Sequence, residues 1–283
     1  MNNTNETKAL KKQLMAAIAM VMVAAVALTS ATYAWFVNNS KVTATGGDYK
    51  AETADYLLIS KTGAVNTFGT TIALGEALTN MKCVSTADAT FGKFYQVDQA
   101  DTGAWANNNA QKFKAATEGT EYFTSDFWLK STVASQQVYM DITDIAETVA
   151  EGKMPIKESV YVGFGKVSED AVNMVKIYQI DNGKSQTVYN TGSDFTAETG
   201  VYSTKGITSI DSSTKAATAG DLTVANGTTF GLTNQVFDTM SSTAETATQY
   251  RVFVWIEGTD AQAYNPAASE QVTFNLAFKT ITE

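Results

Sequence analysis

Gln271-Val272-Thr273-Phe274-Asn275-Leu276-Ala277-Phe278-Lys279 decides the fold. Val272, Phe274, Leu276 and Phe278 occupy alternate positions, with Thr273, Asn275 and Lys279 among those between. Successive side chains of an extended strand point to opposite faces, so this stretch has one apolar face and one largely polar face. Strands of that kind belong to antiparallel sheets covered on one side, as in a sandwich. The same period recurs upstream in Val138, Met140 and Ile142, in Val160, Val162 and Phe164, and in Tyr250, Val252, Val254 and Ile256. Further strand candidates are residues 56–60, 67–74, 91–97, 122–129, 174–180, 186–189 and 229–233. Asn182-Gly183 reads as a hairpin turn between two of them. The fold class expected is all-β: an antiparallel β-sandwich of roughly 10–12 strands.

Helical periodicity is weak. Ile142, Ile145, Ala146 and Val149 follow the i, i+3, i+4, i+7 spacing, which predicts one short helix over residues 142–150. Residues 191–228 are rich in Ser, Thr, Ala, Gly and Asp and read as a long surface excursion between strands, with room for short strands of its own. Residues 241–249 are similar, and no internal repeat is present.

The N-terminus has a different character. Lys8, Lys11 and Lys12 precede an unbroken apolar run over residues 14–28, followed by Thr29-Ser30-Ala31-Thr32-Tyr33-Ala34-Trp35-Phe36. A basic start, a short apolar stretch and small residues at the −3 and −1 positions make a secretory signal. Thr32 and Ala34 fit those positions, so cleavage is expected between Ala34 and Trp35. This divides the chain into a signal peptide, 1–34, and a β-sandwich domain, 35–283. The competing reading is an N-terminal transmembrane helix retained as an anchor, since a span needs ~20 apolar residues. Thr29, Ser30 and Thr32 interrupt such a span and favour cleavage. The membrane would be a partner only through this segment, if uncleaved. No wall-sorting motif or apolar tail closes the sequence, so a C-terminal wall anchor is not expected.

Composition excludes much chemistry. The 283 residues include no histidine, one cysteine (Cys83) and one arginine (Arg251). Ser-His-Asp triads, Cys-His pairs and histidine-bound zinc are therefore impossible within this chain. An internal disulfide or a cysteine metal cage is impossible too. Net charge is −9, and removing Lys8, Lys11, Lys12 and Glu6 with the signal takes it to −11. That argues against nucleic acid or an anionic membrane surface as a partner.

The remaining candidates for chemistry are few. Ser212-Ser213-Thr214-Lys215 has the SxxK spacing of penicillin-binding enzymes, and Lys61-Thr62-Gly63 their KTG, but in reversed order and without SDN. Chance is the better reading. Asp141/Asp144 and Glu257/Asp260 are carboxylate pairs that could serve a glycosidase. Pairs at that spacing are commonplace in an acidic chain. Glu257-Gly258-Thr259-Asp260, with Asn265 beyond, is the best local oxygen cluster for calcium, against the plainer reading of solvated turn residues. Cys83 could bridge two chains, but a buried small hydrophobe is the expectation. Trp128, Trp255, Tyr122 and Phe253 could form a sugar-stacking platform, although strand aromatics usually belong to the core.

Lys11-Lys12-Gln13 before the apolar run, then Ala31-Thr32-Tyr33-Ala34-Trp35-Phe36, resembles the export signal handled by the SipW-type signal peptidase of Gram-positive bacteria. Its clients include the TasA and camelysin-like matrix and surface proteins. Val254-Trp255-Ile256-Glu257-Gly258-Thr259-Asp260, with its final alternating strand, is similar to exported β-proteins carrying such signals. The resemblance covers about ten residues at one end and roughly thirty at the other. It implies a jelly-roll-like sandwich and fibres formed by strand donation between subunits. Camelysins are described as metalloproteases, an activity not carried over to a chain without histidine.

Together these readings lead to a secreted or cell-surface structural or adhesive protein, not an enzyme, with no cofactor unless calcium. Its expected partners are a signal peptidase, copies of itself and other surface proteins. Cleavage would leave Trp35-Phe36-Val37-Asn38-Asn39-Ser40-Lys41-Val42 as the new N-terminus. Trp35, Phe36, Val37 and Val42 make it a candidate assembly strand, able to dock in its own sheet or in a neighbour's. The alternatives are a monomeric glycan-binding module and a carboxylate-dependent secreted hydrolase.

Overall fold

The computed structural model describes residues 48–53, 56–76, 81–98, 112–149, 156–169, 171–180, 205–226, 236–260, 263 and 269–280. The expected signal, the Ala34–Trp35 cleavage site and the candidate strand bearing Trp35, Phe36, Val37 and Val42 lie outside them, as does Asn265. Among the described residues no helix is long and apolar enough to cross a membrane.

The chain is all-β. One sheet of five strands runs in the order β14 (Val236–Thr239), β8 (Gln137–Val149), β16 (Ser269–Thr280), β1 (Asp48–Thr53), β3 (Thr71–Glu76). A second runs β13 (Val224–Asn226), β10 (Ala171–Gln179), β9 (Val160–Ser168), β15 (Thr248–Glu257), β7 (Phe123–Ser131), β2 (Leu57–Ser60). Its seventh strand, β4 (Cys83–Val84), joins the end of β15. Two small ladders complete the fold: β5 (Tyr95–Val97) with β6 (Phe113–Ala115), and β11 (Lys205–Ile210) with β12 (Ala217–Asp221). Most pairings are antiparallel, as expected. Three are parallel: β1 with β16, β10 with β13 and β4 with β15.

The alternating stretch behaves as its pattern dictates. Val272, Phe274, Leu276 and Phe278 of β16 are buried between the sheets. The ring of Phe278 meets Phe127, Phe164 and Phe237, while Phe164 also meets Tyr178 edge-on. Each such side chain contributes roughly 1.5–3 kcal/mol by leaving water.

The middle of the second sheet differs. Val252-Phe253-Val254-Trp255-Ile256 is buried throughout, without alternation. Its other face carries a second apolar cluster, in which Phe253, Trp255, Tyr161 and Ile177 are covered by Phe91, Phe94, Tyr122 and Leu222. These covering residues lie just before β5, after β6 and after β12, so β15 is buried on both faces. Gly163 belongs to this contact: a Cβ there would stand 2.7 Å from the Phe91 ring and 2.9 Å from Trp255.

Where a helix was expected over residues 142–150, residues 142–149 are instead part of β8, paired with β16 along its length. A bulge explains the misleading spacing. Thr143 opposes Asn275 and Ala146 opposes Thr273, so three steps on β8 match two on β16. Asp144, at φ 52°, absorbs the extra residue, and Ile142 and Ile145 thereby face the same core. Within the expected excursion, β11, β12 and β13 are short strands of the kind it had room for.

Lysines from the larger sheet close both lateral edges of the smaller one. The Lys61 ammonium donates to the Leu74 carbonyl of β3 at 3.0 Å, to the Asp126 carbonyl at 3.1 Å and to the Ser125 hydroxyl. Ser125 donates in turn to Leu74 O at 2.6 Å. On the far side Lys176 donates to the Val236 carbonyl of β14 at 2.7 Å. Burial pulls both ammonium pKa values below the ordinary lysine value, against the Asp126 charge in the case of Lys61.

Candidate functional site

The most distinctive polar group lies where β15 ends. The ladder carries Ile256 between Val160 of β9 and Cys83 of β4, then places Glu257 beside Val84. Gly258 N–H donates to Val84 O at 2.9 Å and Asp260 N–H to Glu257 O at 3.1 Å, which folds residues 257–260 into a tight turn. Glu257 and Asp260 are both fully buried.

Glu257 is held by uncharged donors. Trp255 Nε1 donates to Oε2 at 2.9 Å, and Thr259 N–H lies 3.1 Å from Oε1. Thr259 Oγ1 is 2.8 Å from the same oxygen, and the Ser85 hydroxyl lies beside the carboxyl without a hydrogen bond to it. Complete burial without a countercharge raises the pKa to about 7, although all these donors favour the ionised form. The neighbouring Cys83 thiol is also pushed up, by burial first and by Glu257 second. Asp260 faces β9 and β10 instead: Tyr161 OH donates to Oδ2 at 2.5 Å and Gln179 Nε2 lies 3.5 Å from it. Gln179 also donates to the carbonyl of Glu158, a third buried acid.

The two residues singled out for calcium share one turn, where protein donors bond both oxygens of Glu257 and Oδ2 of Asp260. No group of three or more acidic or cysteine side chains poised for a metal ion is present among the described residues. They are not solvated turn residues either, because both are sealed from water. Asp141 and Asp144 lie on β8 around the bulge, where Asn275 Nδ2 donates to Asp144 at 2.6 Å and burial raises the Asp141 pKa. Ser212 to Lys215 form the β11–β12 turn, with Asp211 Oδ1 accepting from Ser213 and Thr214 N–H. Lys61-Thr62-Gly63 follows β2 and serves the edge closure. No hydrogen bond or ion pair joins these two motifs among the described residues. Of the four aromatics, Tyr122, Phe253 and Trp255 are buried in the second cluster, and the Trp128 indole is only partly exposed, packed on Gly63. Cys83 is buried and unpaired.

Ser85, Glu158, Tyr161 and Gln179 escaped the sequence reading because they come from three separate segments, all far from β15 in sequence. One signal was available: Glu257 closes an apolar run, and a carboxyl at the end of a two-sided strand has little access to water. No family model, curated protein or solved structure matches the chain.

Proposed function

We propose that this chain is an exported structural protein of the cell surface or extracellular matrix, with a jelly-roll-like sandwich that joins copies of itself by strand addition. The observation that carries this reading is the place of β1. It lies inside the five-stranded sheet, parallel to β16 and antiparallel to β3, so the chain leading out of the signal segment enters the sheet between two strands. A strand in such a slot gains backbone hydrogen bonds on both sides, each worth ~0.5–1.5 kcal/mol net. Residues 35–42 stand immediately upstream and have the apolar tip that a donor requires. The lysines at Leu74 and Val236 support the same reading, because a protein that polymerises through one slot benefits from guarding its other edges. Burial of Tyr122, Phe253 and Trp255 weighs against the glycan platform.

Electron microscopy and sedimentation of the chain beginning at Trp35 test the proposal. Filaments should grow with concentration, and deletion of residues 35–42 should leave a folded monomer. A truncated chain that still forms normal fibres would falsify donation by this segment. N-terminal sequencing of the secreted material should read Trp-Phe-Val; protein retaining residues 1–34 and confined to membranes would establish the anchor instead.

A further inference from the structure

The Thr259 hydroxyl has two acceptors and one proton. Its Oγ1 lies 2.6 Å from the carbonyl oxygen of Lys205, at the start of β11, and 2.8 Å from Glu257 Oε1. A hydroxyl donates one hydrogen and accepts through its lone pairs. Both contacts are full two-centre hydrogen bonds at once only when Glu257 carries a proton; otherwise one hydrogen is at best divided between two acceptors. Its O–H then donates to Thr259 Oγ1, which donates to Lys205 O, while Oε2 still accepts from Trp255. When Glu257 is ionised it can only accept, so the Thr259 proton must choose between a buried anion and a neutral carbonyl. The anion is the stronger acceptor, and the bond to the β11–β12 hairpin is given up.

We propose that Glu257, Thr259 and the Lys205 carbonyl form a proton-operated latch, closed on the β11–β12 hairpin when Glu257 is protonated and open when it is not. The surroundings favour such a device. Glu257 is fully buried and has only uncharged donors. The charged and titratable groups around it do not neutralise it. On the β4 side, Cys83 is a thiol held neutral by burial, and Lys82 is paired with Glu121 at 3.0 Å. In the turn and on β9, Asp260 bonds Tyr161, and Glu158 lies buried just before that strand. On β11 the Lys205 ammonium pairs with Asp221 at the surface. The rest of the hairpin is fixed by contacts that do not titrate near neutrality. Gly206 packs on the Thr86 carbonyl, Ile207 joins Val97 and Phe113, and Tyr95 OH donates to Thr208 O at 3.2 Å. The latch therefore acts on the Lys205 end, where the hairpin meets the sheet.

Amide hydrogen exchange of the full chain at pH 5.5 and pH 8.5, corrected for intrinsic rates, reads the latch directly. Residues 205–210 and 217–221 should exchange through an opening smaller than the global one that exposes β9 and β15, and their protection should fall by about thirtyfold between the two pH values, the ratio expected if that opening returns a carboxyl of pKa about 7 to 4.5. Glu257→Gln, whose amide donates at every pH, should hold protection at the acid level. Thr259→Val should remove the pH dependence at low protection, and Thr259→Ser should restore it. Equal protection at both pH values in the wild type overturns the proposal. An unchanged pH dependence in Glu257→Gln does the same. If Glu257→Gln does not fold, identical profiles for Thr259→Val and Thr259→Ser refute it.

Discussion

Replacing Lys61 by Met tests whether the edge of β3 is held by charge or merely covered. The ammonium donates to Leu74 O, Asp126 O and Ser125 Oγ, saturating its three hydrogens. A hydrogen bond to a charged group is worth about 1.5–3 kcal/mol when buried. Lys61 is exposed, and Leu74 O keeps its bond from Ser125 Oγ, so the net loss is about 1–2 kcal/mol after screening. For a chain of this size that lowers Tm by about 3–6 °C. The substitution also frees the outer edge of β3 for pairing with another chain. Calorimetry and size-exclusion chromatography should show both effects together, a lower Tm and concentration-dependent association. Lys93→Met, in the turn after Phe91 and Gly92, is the control and should change Tm by less than about 1 °C, within the surface-substitution range. If Lys61→Met behaves like Lys93→Met in both assays, the ammonium does not hold the edge and the reasoning fails.

Three other outcomes are expected. Global stability should fall as pH rises from 4.5 to about 7, because a carboxyl whose folded pKa is raised favours the folded state only while protonated; the span corresponds to about 3 kcal/mol, and denaturant titrations of Glu257→Gln should lack that slope. Phe164→Ala, which empties a site bounded by Phe127, Tyr178, Phe237 and Phe278, should cost about 3–5 kcal/mol in chemical denaturation. Gly206→Ala would place a Cβ 1.6 Å from the Thr86 carbonyl oxygen, so exchange protection of β11 and β12 should collapse while that of β16 persists.

How much was legible depended on whether a residue's role is local. The strands around Phe278, Phe164 and Ile256 could be read because alternation is a property of neighbours in sequence. The β8 bulge could not, because one inserted residue converts a strand's period into a spacing that mimics a helix turn at Ile142 and Ile145. Two-sided burial of Phe253 and Trp255 was concealed because the residues that cover them, Phe91, Phe94, Tyr122 and Leu222, are distant from β15 in sequence. Lys61 and Lys176 were invisible as edge guards, since their acceptors, Leu74 and Val236, belong to the opposite sheet. Glu257 and Asp260 were found by proximity in sequence. The Asp260 partners Tyr161 and Gln179, which decide what that carboxyl can do, meet it only in the folded chain.

The placement of the last two long strands sets a timetable. β15 lies between β9 and β7 at the centre of one sheet, and β16 lies between β8 and β1 inside the other. Ala51 finds Leu276 across nearly the whole length of the polypeptide. Contacts so distant in sequence form slowly, because the loop must close before any pairing rewards it. A chain emerging N-terminus first, from a ribosome or through a narrow channel, has the flanks of both sheets long before it has either centre. Until residues 248–280 are out, both sheets lack the strand that joins their flanks, and the core lacks its middle. Stability then arrives almost at once, with the final few dozen residues.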